Sequence, residues 1–119
     1  MSDPDPDPVL TVTAERHPAG PTLITLSGEL DFATVADLHD VIADTQFTAV
    51  GVVIDLTGVL YCDSAGITEL VTASQQARKA GSPLVLAGLS DNLRRVFGIA
   101  GLHAIFSSYP TVDLAVGSL

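Results

Sequence analysis

From Val9 to Glu15 side chains alternate, with Val9, Thr11 and Thr13 on one face and Leu10, Val12 and Ala14 on the other. Period-2 alternation predicts a strand, here at a sheet edge. Thr22 to Gly28 reads as a second strand, and the turn residues His17–Pro21 between them make the pair an antiparallel hairpin. The period then changes. Val35, Leu38, Val41, Ile42 and Thr45 share one helical face, with Thr34 as the expected N-cap and Asp37 in the first turn. Val50 to Leu56 is a short, nearly continuous apolar run rich in β-branched residues, the pattern of a buried parallel strand. A second helix begins at Ala65, carries Ile67, Leu70, Val71, Ser74 and Ala77 inward, and ends on Arg78, Lys79 and the C′ candidate Gly81. Leu84 to Gly88 predicts another strand, and Ser90 to Ala100 a third helix stopped by Gly101. Ala104 to Phe106 predicts a brief last strand, and Thr111 to Leu119 a terminal helix.

Strands alternating with helices after an opening hairpin define an α/β sandwich: a mixed sheet of four to five strands flanked by helices. Right-handed crossovers bring the connections Gly28–Thr34, Thr57–Ser64 and Gly88–Ser90 to the carboxyl end of the strands. That edge is where open α/β sheets bind ligands and partners.

Composition narrows the function. The chain has 119 residues, of which 47% are hydrophobic, enough for one core and one domain. Residues 1–8, a Pro/Asp repeat, read as a disordered acidic leader, leaving 9–119 as the single domain. Fourteen acidic against five basic residues give −9, and removing the three leader aspartates leaves −6. Such a charge with six aromatics disfavours nucleic acid and an anionic membrane surface. One cysteine, Cys62, and scattered histidines (His17, His39, His103) lack metal-ligand spacing, so no metal or cofactor is expected. With no signal-peptide pattern and no long apolar run, a cytoplasmic protein is expected.

Chemistry concentrates in two segments of the carboxyl edge: Gly28-Glu29-Leu30-Asp31, and Asp55 through Asp63-Ser64-Ala65-Gly66. A serine at the start of a helix stands beside unpaired amides and the positive end of the dipole, which would receive a phosphoryl group on its hydroxyl. The small Ala65 and Gly66 leave it accessible, and Asp31 and Asp63 could bond the hydroxyl or meet a partner. Asp63 or Ser64 as an ordinary N-cap, Asp31 as a turn residue and Cys62 as a small buried hydrophobe are the plainer alternatives.

Gly28-Glu29-Leu30-Asp31, Asp55-Leu56-Thr57-Gly58-Val59 and Asp63-Ser64-Ala65-Gly66 together resemble the STAS domain of bacterial anti-sigma-factor antagonists. Leu93 to Leu102 is similar to that family's third helix and following turn, so the resemblance spans about residues 9–119. It implies a STAS-like sandwich and a partner switch. The unphosphorylated antagonist would bind an anti-sigma factor and release a sigma factor. Phosphorylation of Ser64 by that anti-sigma factor, a serine kinase with a histidine-kinase-like ATPase fold, would end the binding, and a serine phosphatase would reset it. The partner surface implied is Asp31, Thr34, Asp63, Ser64, Ala65, Gly66, Thr68 and Glu69, on a chain that is a monomer when free. Departures from the family pattern are Ala65 for a frequent Ser or Thr, Thr68 for a frequent Gly and Cys62 for a frequent Met.

Two other classes compete. The domain could be a non-phosphorylated STAS docking subunit of a larger regulatory or transport assembly, with Ser64 inert; many such modules lose the Asp-Ser pair that stands here. A serine hydrolase would need glycine where Cys62 stands, and no phosphate-binding motif is present, so an enzyme is not expected.

Overall fold

The computed structural model describes residues 9–119. The expected leader, 1–8, lies outside the described residues. Strand β1 (Leu10–Arg16) pairs antiparallel with β2 (Thr22–Leu30), Thr13 opposite Thr25. His17 N–H donates to the Pro21 carbonyl at 2.8 Å across the turn. Helix α1 (Val35–Asp44), strand β3 (Val52–Cys62), helix α2 (Ser64–Lys79) and strand β4 (Leu84–Ala87) follow. Then come helix α3 (Asp91–Ile99), a 3-10 turn (Leu102–Ala104), strand β5 (Ser108–Tyr109) and helix α4 (Val112–Gly117). The five strands lie in chain order, β1-β2 antiparallel and every later pair parallel, which is the mixed α/β sheet the pattern predicts.

The two faces of β3 divide the core. Ile54 and Leu56 point to the larger cluster, with Ile24 and Leu26 of β2, Leu38 and Ile42 of α1, Leu70 of α2 and Leu93 and Phe97 of α3. Val53 points the other way, against Val85, Ala87 and Ala115 under α4. Three helices therefore cover one face and α4 part of the other.

Helix α2 ends as its sequence predicts. The N–H of Ser82 reaches the Ala77 carbonyl at 2.8 Å and that of Gly81 reaches Arg78 at 3.1 Å, with Gly81 at φ +70°. This double bond pattern around a left-handed glycine satisfies carbonyls that the helix end leaves unpaired.

Three expectations are corrected. Thr57–Ser64 is not a loop, because β3 runs on to Cys62 through register shifts against β2 between Thr25 and Ser27 and between Gly28 and Glu29. A bulge keeps a strand paired while breaking its alternation, so the extension is hidden from a period-2 reading. Ala104–Phe106 is not a strand. Leu102 and Phe106 are both buried, and Phe106 N–H donates to the Leu102 carbonyl at 2.9 Å, a helical spacing of four that re-enters the core. The last strand pairs instead at Ser108 and Tyr109, opposite Leu86 and Ala87. Finally, Thr34 occupies the N-cap position of α1 but its side chain makes no cap bond.

Candidate phosphorylation and partner-binding site

The carboxyl ends of β2 and β3 meet the first turns of α1 and α2, and Asp63 joins them. Its backbone is extended, and Oδ1 accepts from the Ala65 and Gly66 amides at 2.9 and 3.1 Å. The other oxygen, Oδ2, accepts from the Phe32 amide at 3.1 Å. Asp63 N–H also donates to the Leu30 carbonyl at 3.1 Å. One side chain thus caps α2 and pins the β2–α1 connection to it. Two of the amides expected to face a phosphoryl group on Ser64 are already engaged by Asp63.

Ser64 is the first residue of α2 and is exposed. Its carbonyl accepts from Thr68 Oγ1 at 2.9 Å, and Thr68 is exposed as well. Asp31 is half-buried and shapes the turn before α1, its Oδ1 accepting from the Ala33 and Thr34 amides at 2.9 and 3.1 Å. Thr34 is buried. Its hydroxyl donates to the Glu29 carbonyl at 2.9 Å and accepts from the Asp31 amide at 3.0 Å, closing the same turn from beneath.

Gly66 serves a different purpose from the one its size suggests. It is buried, and a Cβ there would lie 2.7 Å from Leu30 Cγ and 2.9 Å from Cys62 Sγ. Its smallness lets α2 approach the sheet and does not open a path to Ser64. Glu69, expected to face a partner, has a side chain only 13% exposed, and Oε1 lies 2.9 Å from His39 Nδ1 of α1. Among the eight residues of the expected surface, Ser64 and Thr68 are exposed. Asp31, Asp63, Ala65 and Glu69 are half-buried, and Thr34 and Gly66 are buried.

Sequence reasoning passed over His39 and Leu60. His39 lies thirty positions from Glu69, with no local pattern linking the two. Leu60, 79% exposed, is the unpaired residue of the register shift between Val59 and Tyr61 that breaks the alternation of β3. Cys62 packs against the main core, and its thiol pKa is pushed up to about 11, first by burial and second by the neighbouring Asp63 charge. Among the described residues, no group of three or more His, Cys, Asp or Glu could hold a metal ion. No helix among them is long and apolar enough to cross a membrane.

An exposed serine thus heads a helix on the carboxyl edge of this mixed sheet, with the aspartate before it as the cap. The family model described as STAS domain matches residues 11–115. A relative from Listeria monocytogenes named anti-sigma-B factor antagonist is 42% identical over 84 residues, covering 69% of this chain and 73% of its own. The crystal structure of an anti-sigma factor antagonist from Mycobacterium paratuberculosis superposes with TM-score 0.79 at 28% identity, over 99% of this chain and 97% of that one. The Bacillus cell fate determinant SpoIIAA in its phosphorylated form shares the fold (TM-score 0.68, 19% identity, covering 91% of this chain and 98% of that one). The chain belongs to the STAS domain family, among its anti-sigma-factor antagonists.

Proposed function

We propose that this chain is a cytoplasmic anti-sigma-factor antagonist switched by phosphorylation of Ser64, a regulator and not an enzyme. Unphosphorylated, it binds an anti-sigma factor and so releases a sigma factor. The observation that carries this reading is the exposed Ser64 at the head of α2, against the Asp63 cap and the Asp31 turn. Relatives named for antagonism of an anti-sigma factor support it. The kinase is the anti-sigma factor itself, of the histidine-kinase-like ATPase class. The Ser64 oxygen bonds to the γ-phosphorus of ATP, the bond to ADP breaks and the hydroxyl proton leaves. A serine phosphatase restores the hydroxyl. The chain acts as a monomer whose STAS domain is 9–119, preceded by the leader 1–8. The binding surface is built from Asp31, Asp63, Ser64, Ala65 and Thr68, with Thr34, Gly66 and Glu69 holding it in shape from below.

The switch is electrostatic. A phosphoserine brings about −1.5 to −2 charges next to carboxylates already present. Two like charges about 4 Å apart at an effective dielectric near 20 repel by about 4 kcal/mol. Solvent screening at this exposed edge lowers the figure, and about 1.4 kcal/mol suffices for each tenfold in affinity. With Asp63 already holding the Ala65 and Gly66 amides, the added charge is left facing outward, toward the partner.

The test is incubation of the chain with purified anti-sigma ATPases of the same genome and Mg-ATP, followed by mapping of phosphate by mass spectrometry. Phosphate on Ser64, and none on the Ser64→Ala variant, is expected. Phosphate confined to another residue, or no transfer from any of these ATPases, would overturn the reading.

A further inference from the structure

Three bulky apolar side chains stand uncovered at the end of the sheet that carries Ser64. Phe32 is 84% exposed, Leu60 79% and Tyr61 50%. Phe32 lies in the β2–α1 connection, its amide bonded to Asp63 Oδ2 at 3.1 Å. Leu60 and Tyr61 lie in the last part of β3, where Tyr61 is opposite Glu29 and Cys62 opposite Leu30. We propose that Phe32 and Leu60, supported by Tyr61, are the apolar anchor by which this chain docks on its anti-sigma factor, entering an apolar recess rimmed by basic side chains. The inference rests on the function proposed above and adds to it which side chains supply affinity apart from the charged switch.

Placement and charge select that occupant. The patch is continuous in the chain with the switch: Tyr61 is three residues before Ser64, and Phe32 follows Asp31 and bonds Asp63. A large apolar side chain left in water contributes nothing to the fold, whereas aromatic anchors in a partner's pocket dominate binding energy. The backbone at Phe32 is already fixed by its bond to Asp63, so less ordering is lost on docking. A second copy of the chain is the poorer occupant, because pairing two such patches would bring Glu29, Asp31 and Asp63 of both copies together on chains of charge −9. An anionic membrane would be repelled by the same carboxylates. A recess with a basic rim satisfies both the apolar centre and its acidic surround.

The experiment titrates full-length wild type, Phe32→Ala, Leu60→Thr and the double variant into the purified anti-sigma ATPase by calorimetry at two salt concentrations. Urea unfolding and sedimentation are run on each. Both residues are exposed, so unfolding midpoints should match wild type, and every form should sediment as a monomer. Each single change should weaken binding about tenfold or more, and the double change further, with an unaltered salt slope, because the lost contact is apolar. Wild-type affinity in both single variants, with Ser64 phosphorylation still abolishing binding, would overturn the anchor and leave the switch standing. Self-association of wild type that Phe32→Ala abolishes would reassign the patch to a second copy. Failure of wild type to bind any such ATPase would remove the proposed function, and the anchor with it.

Discussion

Asp63 and Ser64 are neighbours with divided work. Asp63 uses both carboxylate oxygens internally, on Ala65, Gly66 and Phe32, while the Ser64 side chain stands exposed. Asp63→Ala should therefore lower stability by about 1–2 kcal/mol in urea unfolding, the cost of a lost N-cap. Asp63→Asn, which keeps an acceptor at Oδ1, should lose less; equal losses would deny that hydrogen bonding is the role. Cys62 makes stability depend on pH. Its folded pKa of about 11 stands above the ordinary value of 9.0, so the native state holds the thiol proton more tightly than the unfolded chain does. Stability from this group is full below pH 9 and declines as pH rises toward 11, the sign for any group whose folded pKa is raised. Alkylation by iodoacetamide at pH 8 should accordingly be much slower in native protein than in urea; equal rates would contradict the burial. The Asp63-Ser64 pair was legible in the sequence, but its division of labour was not. A cap and a partner ligand call for the same residue in the same place, and only the bond to Phe32, thirty-one positions away, separates them.

Helix α2 is set against the sheet by Gly66 in its first turn as much as by its cap. Gly66→Ala would gain about 1 kcal/mol of helix propensity. The added methyl would sit 2.7 Å from Cγ of the fully buried Leu30, which has nowhere to move. Overpacking of that kind costs about 1–3 kcal/mol, so a net loss is expected in the urea midpoint; a stabilised variant would show that the contact relaxes freely. The elements that sequence periodicity revealed were those with regular faces. Val35, Leu38 and Ile42 gave α1, and the nearly continuous apolar run from Val50 to Leu56, buried from Val52 on against two cores, gave the middle of β3. The missed pieces share a cause. The bulged end of β3 and the Leu102–Phe106 turn each place apolar residues inside without repeating a period. The exposure of Phe32 and Leu60 was equally hidden, because composition cannot distinguish an anchor from a core residue.

At the scale of the whole molecule, fourteen acidic against five basic residues make the chain an electrostatic target for a basic partner. Association should slow as salt rises past physiological strength, where the screening length is about 8 Å. The same charge is the background for the proposed switch: a dianion added on Ser64, at an edge that holds Asp31 and Asp63, would turn a favourable approach into an unfavourable one without refolding. The sequence placed Ser64 at the start of a helix and open to solvent, as it stands, whereas the occupied helix amides emerged only from the folded geometry. The decisive measurement is the calorimetric dissociation constant of the full chain for its anti-sigma factor, with Ser64 free, phosphorylated, or replaced by Ala or Glu, in one buffer. The free and Ala forms should bind alike. Ser64→Glu, with one charge, should bind more weakly, and the phosphorylated form weakest, by about a hundredfold or more. Equal affinities for the Ala, Glu and phosphorylated forms would contradict a charge-driven switch at Ser64.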